Sequence, residues 1–314
     1  MTNYLSQYTF RNVISMIRNN RKDPEICEDD FNDKLVVITG TTSGIGYHTA
    51  KEFASHGADL IIINRNQEKS KELCTEIRNE FGVECDYLLA DYTHLSDVKR
   101  VAQELIDLNR TVDVFIHNAG VYLTKRELTD DGNEKVFQVN YLASFLLTNL
   151  LKQKFLDQDQ GRIIYVNSEG HRFAINGLRM NDLNWEKRRF TGLKGYGAAK
   201  TAQLLSIIKY KEYYEKANVT IIAMHPGNVK TPMGEIERNG KWYLFIKRNF
   251  INRSARTPEI SAKALYYLGV SKDIEGKSGK FFNLTTEEEP APPARDEEAA
   301  DELWDISIKL VGLE

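Results

Sequence analysis

Residues 35–46 read LVVITGTTSGIG. The apolar run 35–38 stops at Thr39-Gly40, and Gly44 and Gly46 lead into 47–56, which has helical periodicity. A short continuous apolar run suits a strand buried on both faces of a parallel sheet. Glycines let the chain turn sharply and keep side chains out of the way of a phosphate. The new helix then points unpaired N–H groups and its positive dipole end at that anion. The stretch predicts a strand, a tight turn and a helix start around a phosphate site that fits a dinucleotide. Its glycines follow Gly-x-x-x-Gly-x-Gly, not the more familiar Gly-x-Gly-x-x-Gly. Alone, the loop does not separate a cofactor site from an ordinary glycine-rich turn.

Outward from this loop the hydrophobic period alternates. Buried strands are expected at 59–63, 83–90, 112–117, 161–167, 219–225 and 280–284. Helices are expected at 68–81, 95–108, 135–156 and 197–216, with another opened by Thr257-Pro258-Glu259. Strands alternating with helices predict an α/β fold, a Rossmann-type doubly wound parallel sheet of about seven strands with helices on both faces. Right-handed crossovers bring every strand's C-terminal end to one edge, where ligands bind. The 314 residues fit one such domain at 34–286, preceded by a helical extension, 1–33, and followed by a linker and helix, 287–314. In the extension, Phe10, Val13, Ile14 and Ile17 lie at helical spacing and predict a short helix packed on the domain, with a membrane-surface helix as the alternative.

A net charge of −3, with scattered basic residues, gives no case for nucleic acid. Three cysteines, Cys27, Cys74 and Cys85, suggest a reducing, cytoplasmic setting rather than a disulfide framework. No metal-ligand spacing is visible, no signal peptide opens the chain, and no apolar run approaches the ~20 residues of a membrane span.

The expected ligand edge is chemically rich. Asn64-Arg65-Asn66 ends the second strand. An acid there would bind ribose hydroxyls, whereas an arginine suits a 2′-phosphate, so Arg65 favours NADP over NAD. Asp91, followed by Tyr92, ends the third strand and is placed to accept from an adenine amine or to cap the next helix. Asn118-Ala119-Gly120 ends the fourth strand with small residues. Tyr196 and Lys200, in YGAAK, are four apart and share a helix face. Free tyrosine has a pKa of about 10, so a neutral-pH base needs a shift of about 3 units, or ~4 kcal/mol. One ammonium at ~4 Å in an effective dielectric of ~20 supplies about that much. Ser168, ending the fifth strand, has a hydroxyl suited to a substrate oxygen or to capping a turn. Asn140, inside the apolar stretch 135–156, must be hydrogen-bonded wherever it is buried.

Together these residues resemble the short-chain dehydrogenase/reductase family. The matching positions are Thr39, Gly40, Gly44, Gly46, Asn118-Ala119-Gly120, Asn140, Ser168, Tyr196, Lys200 and Pro226-Gly227, in order over 35–285. TSGIG, NRN, FQVNYLASFLLTNLL, NSEGHRF and LWDIS are similar to the retinol dehydrogenase and WW-domain oxidoreductase branch. The resemblance implies that Tyr196 gives or takes the proton, Lys200 lowers its pKa and holds the nicotinamide ribose, and Ser168 orients the reacting oxygen. Asn140 would bend its helix and anchor a relay water near Lys200. The implied cofactor contacts are Gly40, Thr42, Ser43, Gly44, Ile45, Gly46, Arg65, Asp91, Tyr92, Asn118, Ala119, Gly120, Tyr196, Lys200, Pro226 and Gly227. Val229 would meet the carboxamide and Thr231 the pyrophosphate. Thr41-Thr42 and His117 depart from the branch's usual residues, as does the absence of an apolar membrane-anchoring N-terminus.

Residues 230–256, with Trp242, Tyr243, Phe245 and Ile246, read as a lid opposite His171 and Phe173. Such a lining suits a hydrophobic carbonyl or alcohol, retinoid-, steroid- or lipid-like. The run 287–293 reads as a connector, and Ala299, Leu303, Ile306 and Leu310 mark a final helix. The long helices carry surplus apolar surface, which in this family often pairs subunits as a homodimer. The expected function is an NADP(H)-dependent oxidoreductase. The alternative is a non-enzymatic dinucleotide sensor or scaffold, against which all four implied catalytic positions are kept.

Overall fold

A computed structural model describes residues 4–8, 18–20, 22–229 and 256–313. Phe10, Val13, Ile14 and Ile17, the lid with Trp242, and Thr231 lie outside the described residues.

Among the described residues eight strands form one sheet: β1 Leu35–Thr39, β2 Asp59–Asn64, β3 Cys85–Leu89, β4 Val114–His117, β5 Gly161–Val166, β6 Val219–His225, β7 Phe281–Asn283 and β8 Thr286–Glu288. Their order is β3-β2-β1-β4-β5-β6-β7-β8, all parallel except the β7–β8 pair. Every residue of β1 is buried, as its unbroken apolar run requires. In register, Val37 sits between Ile61 and Phe115. The strand order reverses between β1 and β4, which opens a crevice at their C-terminal ends. The acidic stretch expected to be a connector contributes β8 instead. Its antiparallel pairing with β7 protects the sheet edge.

Helices cover both faces. On one side pack α1, Gly44–Ser55, and α2, Gln67–Phe81. On the other packs α3, Leu95–Ile106. Beside it α4 runs as Lys135–Phe137, a π-helical turn Gln138–Leu142, and Ala143–Gln158. Next to α4 lies α5, Gly192–Tyr214, which starts earlier than the periodicity suggests because Thr191 caps it, accepting from the Lys194 N–H. Two further helices are α6, Pro258–Val270, on the α1 side, and α7, Glu297–Val311, on the α5 side.

α7 packs on part of the apolar surface of α4 and α5. Its Trp304 ring lies 4.9 Å from Phe145 of α4 and 5.0 Å from Tyr210 of α5. Ser307 shares a buried hydrogen bond with Tyr141 at 2.8 Å. The chain before β1 also binds the body of the domain. Asn19 donates to Glu288 of β8 at 2.8 Å, and the Glu25 N–H donates to Thr285 at 2.8 Å. Among the described residues, no helix is long and apolar enough to cross a membrane.

Candidate active site

The turn after β1 is held from two sides. Thr39 Oγ1 accepts from the backbone N–H groups of Asn118 and Ala119 at 3.0 and 2.9 Å. Asn118 Nδ2 donates back to the carbonyls of Thr39 and Gly40 at 3.0 and 2.8 Å. Asn64, at the end of β2, accepts from the Thr41 N–H at 2.7 Å. Gly40 has φ +72°, and a Cβ there would lie 2.8 Å from Ala119 Cα. At Gly46 a Cβ would lie 2.2 Å from the Gly40 carbonyl oxygen, so only glycine lets α1 approach the loop. Ser43 stands at the α1 N-cap but makes no capping bond, and the first turn carries no acid. The opening N–H groups of α1 are therefore left for an outside anion, and the loop fits a dinucleotide pyrophosphate.

This loop opens on a cleft of about 480 Å³. Gly40, Thr42, Ser43, Gly44, Ile45, Arg65, Asp91, Tyr92, Asn118, Ala119, Gly120, Ser168, Tyr196, Lys200, Pro226, Gly227 and Val229 all line it. Gly46 and Asn140 stand behind the wall rather than in it. Arg65 is exposed at the rim, and no carboxylate occupies positions 64–66. Asn64 is committed to Thr41, and Asn66 caps α2 by accepting from the Lys69 N–H. Asp91 does not cap α3. It accepts from the N–H and hydroxyl of Thr93 at 2.9 and 2.8 Å. Burial pushes its carboxyl up, but those bonds and the Arg65 charge outweigh this and hold it below the usual range.

At the other end, Tyr196 and Lys200 come from adjacent turns of α5, and Ser168 from the end of β5. Ser168 Oγ accepts from the Gly170 N–H at 3.0 Å, so the serine caps its turn and also faces the phenol. A Cβ at Gly170 would lie 2.6 Å from the Tyr196 ring, so a glycine in NSEGHRF is needed to seat that ring. The expected electrostatics are altered. Lys200 Nζ is 5.8 Å from the Tyr196 ring centroid and donates to the Val166 carbonyl at 2.8 Å and to Gln203 Oε1 at 3.1 Å. Burial pushes the lysine down to about 7, so its charge is only partial at neutral pH. Burial also raises the Tyr196 phenol, with Ser168 pulling the other way. Desolvation of both groups outweighs the attraction expected from the i, i+4 spacing.

Asn140 lies behind the cleft wall, hydrogen-bonded as a buried amide must be. It sits in the π-helical turn, a frequent mark of functional sites. Its side chain pairs with the Val121 backbone, accepting from N–H at 2.7 Å and donating to C=O at 2.9 Å. Its own carbonyl accepts from Gln203 Nε2 at 2.6 Å. His171 does not line the cleft. It is buried, and its ring nitrogens bond the Ser168 carbonyl at 2.8 Å and the Ala291 N–H at 3.0 Å. The second bond makes Nε2 the acceptor, so Nδ1 carries the proton and donates. Burial pushes this imidazole down to about 3, so it stays neutral. His171 ties the serine turn to the segment after β8. Phe173 is 49% exposed and lies outside the cleft lining.

The short chain dehydrogenase family model matches residues 34–179. Retinol dehydrogenase 13 of Mus musculus is 34% identical over 285 residues, covering 89% of this chain and 84% of that protein. The chain belongs to the short-chain dehydrogenase family. Human WW domain-containing oxidoreductase is 31% identical over 289 residues, covering 90% of this chain and 69% of that one. Among solved structures, an uncharacterized protein from Mycobacterium Paratuberculosis has a TM-score of 0.68 at 25% identity, covering 90% and 95% of the two chains. A short chain dehydrogenase from Shigella flexneri, solved with NADP, has a TM-score of 0.62 at 22% identity, covering 82% and 99%.

The departures from the family's branch have local explanations in this dehydrogenase. Thr41 is fully buried and bonds Asn64, locking the glycine turn to β2. His117 packs between Phe115 and Tyr165, each 4.5 Å away centroid to centroid, and pairs with Thr148 Oγ1 at 2.9 Å. Motif reading gave no supporting role to Asn64, Asn167, Gly170 or Gln203. Gln203 had a signal, since it extends the Tyr196–Lys200 stripe by one more turn.

Proposed function

We propose that this dehydrogenase reduces a hydrophobic ketone or aldehyde, or oxidises the matching alcohol, with NADP(H). The observation that carries the reading is the convergence of Ser168, Tyr196 and Lys200 on the cleft whose far end is the uncapped start of α1. Arg65, with no acid at 64–66, supports NADP over NAD. Val121, Val139 and Val166 give the inner cleft apolar lining, and the relatives named for retinol point to an apolar alcohol.

The nicotinamide, when bound, supplies or accepts the hydride. The glycine loop and the α1 N-terminus would hold its pyrophosphate, Arg65 the 2′-phosphate, Lys200 the nicotinamide ribose, and the Val229 backbone the carboxamide. In the reductive direction, the Ser168 hydroxyl donates to the carbonyl oxygen and polarises it. Tyr196 transfers its phenolic proton to that oxygen as the C–H bond forms, leaving alcohol and phenolate. Lys200 stabilises the phenolate and passes on a proton, and solvent restores it. The oxidative direction reverses each step.

A panel of apolar carbonyls and alcohols, followed by NADPH absorbance, tests the reading. Turnover with NADPH exceeding that with NADH is expected. Tight NADPH binding with no turnover across the panel would favour the sensor alternative.

A further inference from the structure

Gln203 is 1% exposed and one turn beyond Lys200 on α5, and its side-chain hydrogen bonds go to Asn140, Asn167 and Lys200, in or behind the catalytic wall. Its Nε2 donates to the Asn140 carbonyl at 2.6 Å. Its Oε1 accepts from Lys200 Nζ at 3.1 Å and from Asn167 Nδ2 at 3.0 Å. Asn167 in turn donates to the Lys200 carbonyl at 2.9 Å, and its Oδ1 accepts from the Ser168 N–H at 2.8 Å. We propose that Gln203 is a positioning residue whose amide joins Lys200 directly to the Asn140 carbonyl and, through Asn167, to Ser168. The proposal rests on the oxidoreductase reading above and extends it to a side chain that need not touch substrate or cofactor.

The choice of amide has a chemical consequence. An amide oxygen accepts from the lysine without adding charge, so the ammonium is oriented yet stays easy to deprotonate. A carboxylate of the same length would orient it equally and hold its proton. Among the described residues, the other titratable or charged groups on the elements packed around Lys200 include Tyr196, Tyr141, Tyr165, His117, His171, His225, Glu169 and Arg172. Burial raises these tyrosines and lowers these imidazoles, and it pushes the Glu169 carboxyl up to about 7. The Arg172 charge is paired with Glu169 and Glu288. Burial is the one cause acting on Lys200 itself.

The test compares wild type, Gln203→Glu and Gln203→Leu by two readouts. In cofactor-free protein labelled with 13C at lysine Cε, NMR titration should find Lys200 near 7 in wild type and at least about one unit higher in Gln203→Glu. In the pH profile of kcat, the limb from Lys200 should move the same way in Gln203→Glu. Gln203→Leu should lower kcat about tenfold or more, with KM and NADPH binding little changed. Circular dichroism and NADPH fluorescence establish that each variant folds. An unshifted Lys200 titration in a folded Gln203→Glu protein overturns the proposal, as do superimposable pH profiles. An active-site reading that fails for want of any substrate leaves the NMR readout intact, so the two failures are distinguishable.

Discussion

The two ends of the cleft are built by opposite means. At the β1–β2 end the chain makes room. Glycines, backbone N–H groups and one exposed arginine leave space for a large anion, and Thr39, Asn64 and Asn118 only hold the loop's shape. At the β5–α5 end the chain fills space. Asn140, Asn167, Lys200 and Gln203 form a buried network whose dipoles are fixed beforehand. The first end binds by vacating volume, and the second prepares for chemistry by fixing polar groups where water cannot screen them. Changes at the second end should therefore cost more.

The largest effect is expected from Tyr196→Phe. It should lower kcat by about 10²–10⁴-fold, with NADPH affinity kept, because it removes the proton donor and little else. Rapid-quench or steady-state assays beside a fluorescence titration would separate the two. Parallel loss of binding would blur the contrast between the ends.

Next is the pH dependence of stability. The unfolded chain holds the lysine proton up to about 10.4, whereas burial releases it from folded Lys200 at about 7. Over that window the unfolded state binds more protons, so this group makes stability rise with pH and contributes least below about 7. Lys200→Met should remove up to about 4–5 kcal/mol of that rise. Urea denaturation of cofactor-free protein at pH 7 and 10 measures it, and an equal slope in the variant would mean the ammonium is not held in a dry site.

Smaller effects are expected at the other end. Gly46→Ala places a Cβ against the Gly40 carbonyl and Asn118 Nδ2. Overpacking of this kind should cost about 1–3 kcal/mol in chemical denaturation and weaken both dinucleotides alike. Arg65→Glu should weaken NADP by about tenfold to a hundredfold and NAD by far less, since a phosphate contact becomes a repulsion. Equal losses for the two cofactors would remove Arg65 from the 2′-phosphate.

The same contrast governs what could be read from sequence. The β1 loop is legible because strand, glycine turn and helix are adjacent in the chain, so local pattern carries the whole site. Tyr196 and Lys200 are legible because four residues of helix suffice to align them. The sheet's helices and seven of its strands follow from period alone. β8 does not, because Thr286–Glu288 is short and acidic and its stability comes from β7 and from Asn19. The π-helical turn is hidden inside a continuous apolar stretch. His171 read as a wall residue because its partner Ala291 is 120 residues away. The burial that shifts Lys200 and Tyr196 likewise depends on the whole fold, so spacing suggested attraction where desolvation prevails. The apolar faces of α4 and α5 raise the expectation of a second subunit, whereas the packing of α7 on part of them through Trp304 is not legible in the sequence.

The proposed reaction moves hydride between NADPH and a carbonyl carbon, with Tyr196 managing the proton. The most direct measurement uses NADPH deuterated at C4 on the transferred face, with a carbonyl that supports turnover. Mass spectrometry of the alcohol should show one deuterium on the carbinol carbon in wild type and negligible product from Tyr196→Phe. Product lacking deuterium at that carbon, or formed equally fast by Tyr196→Phe, would overturn the proposed hydride transfer.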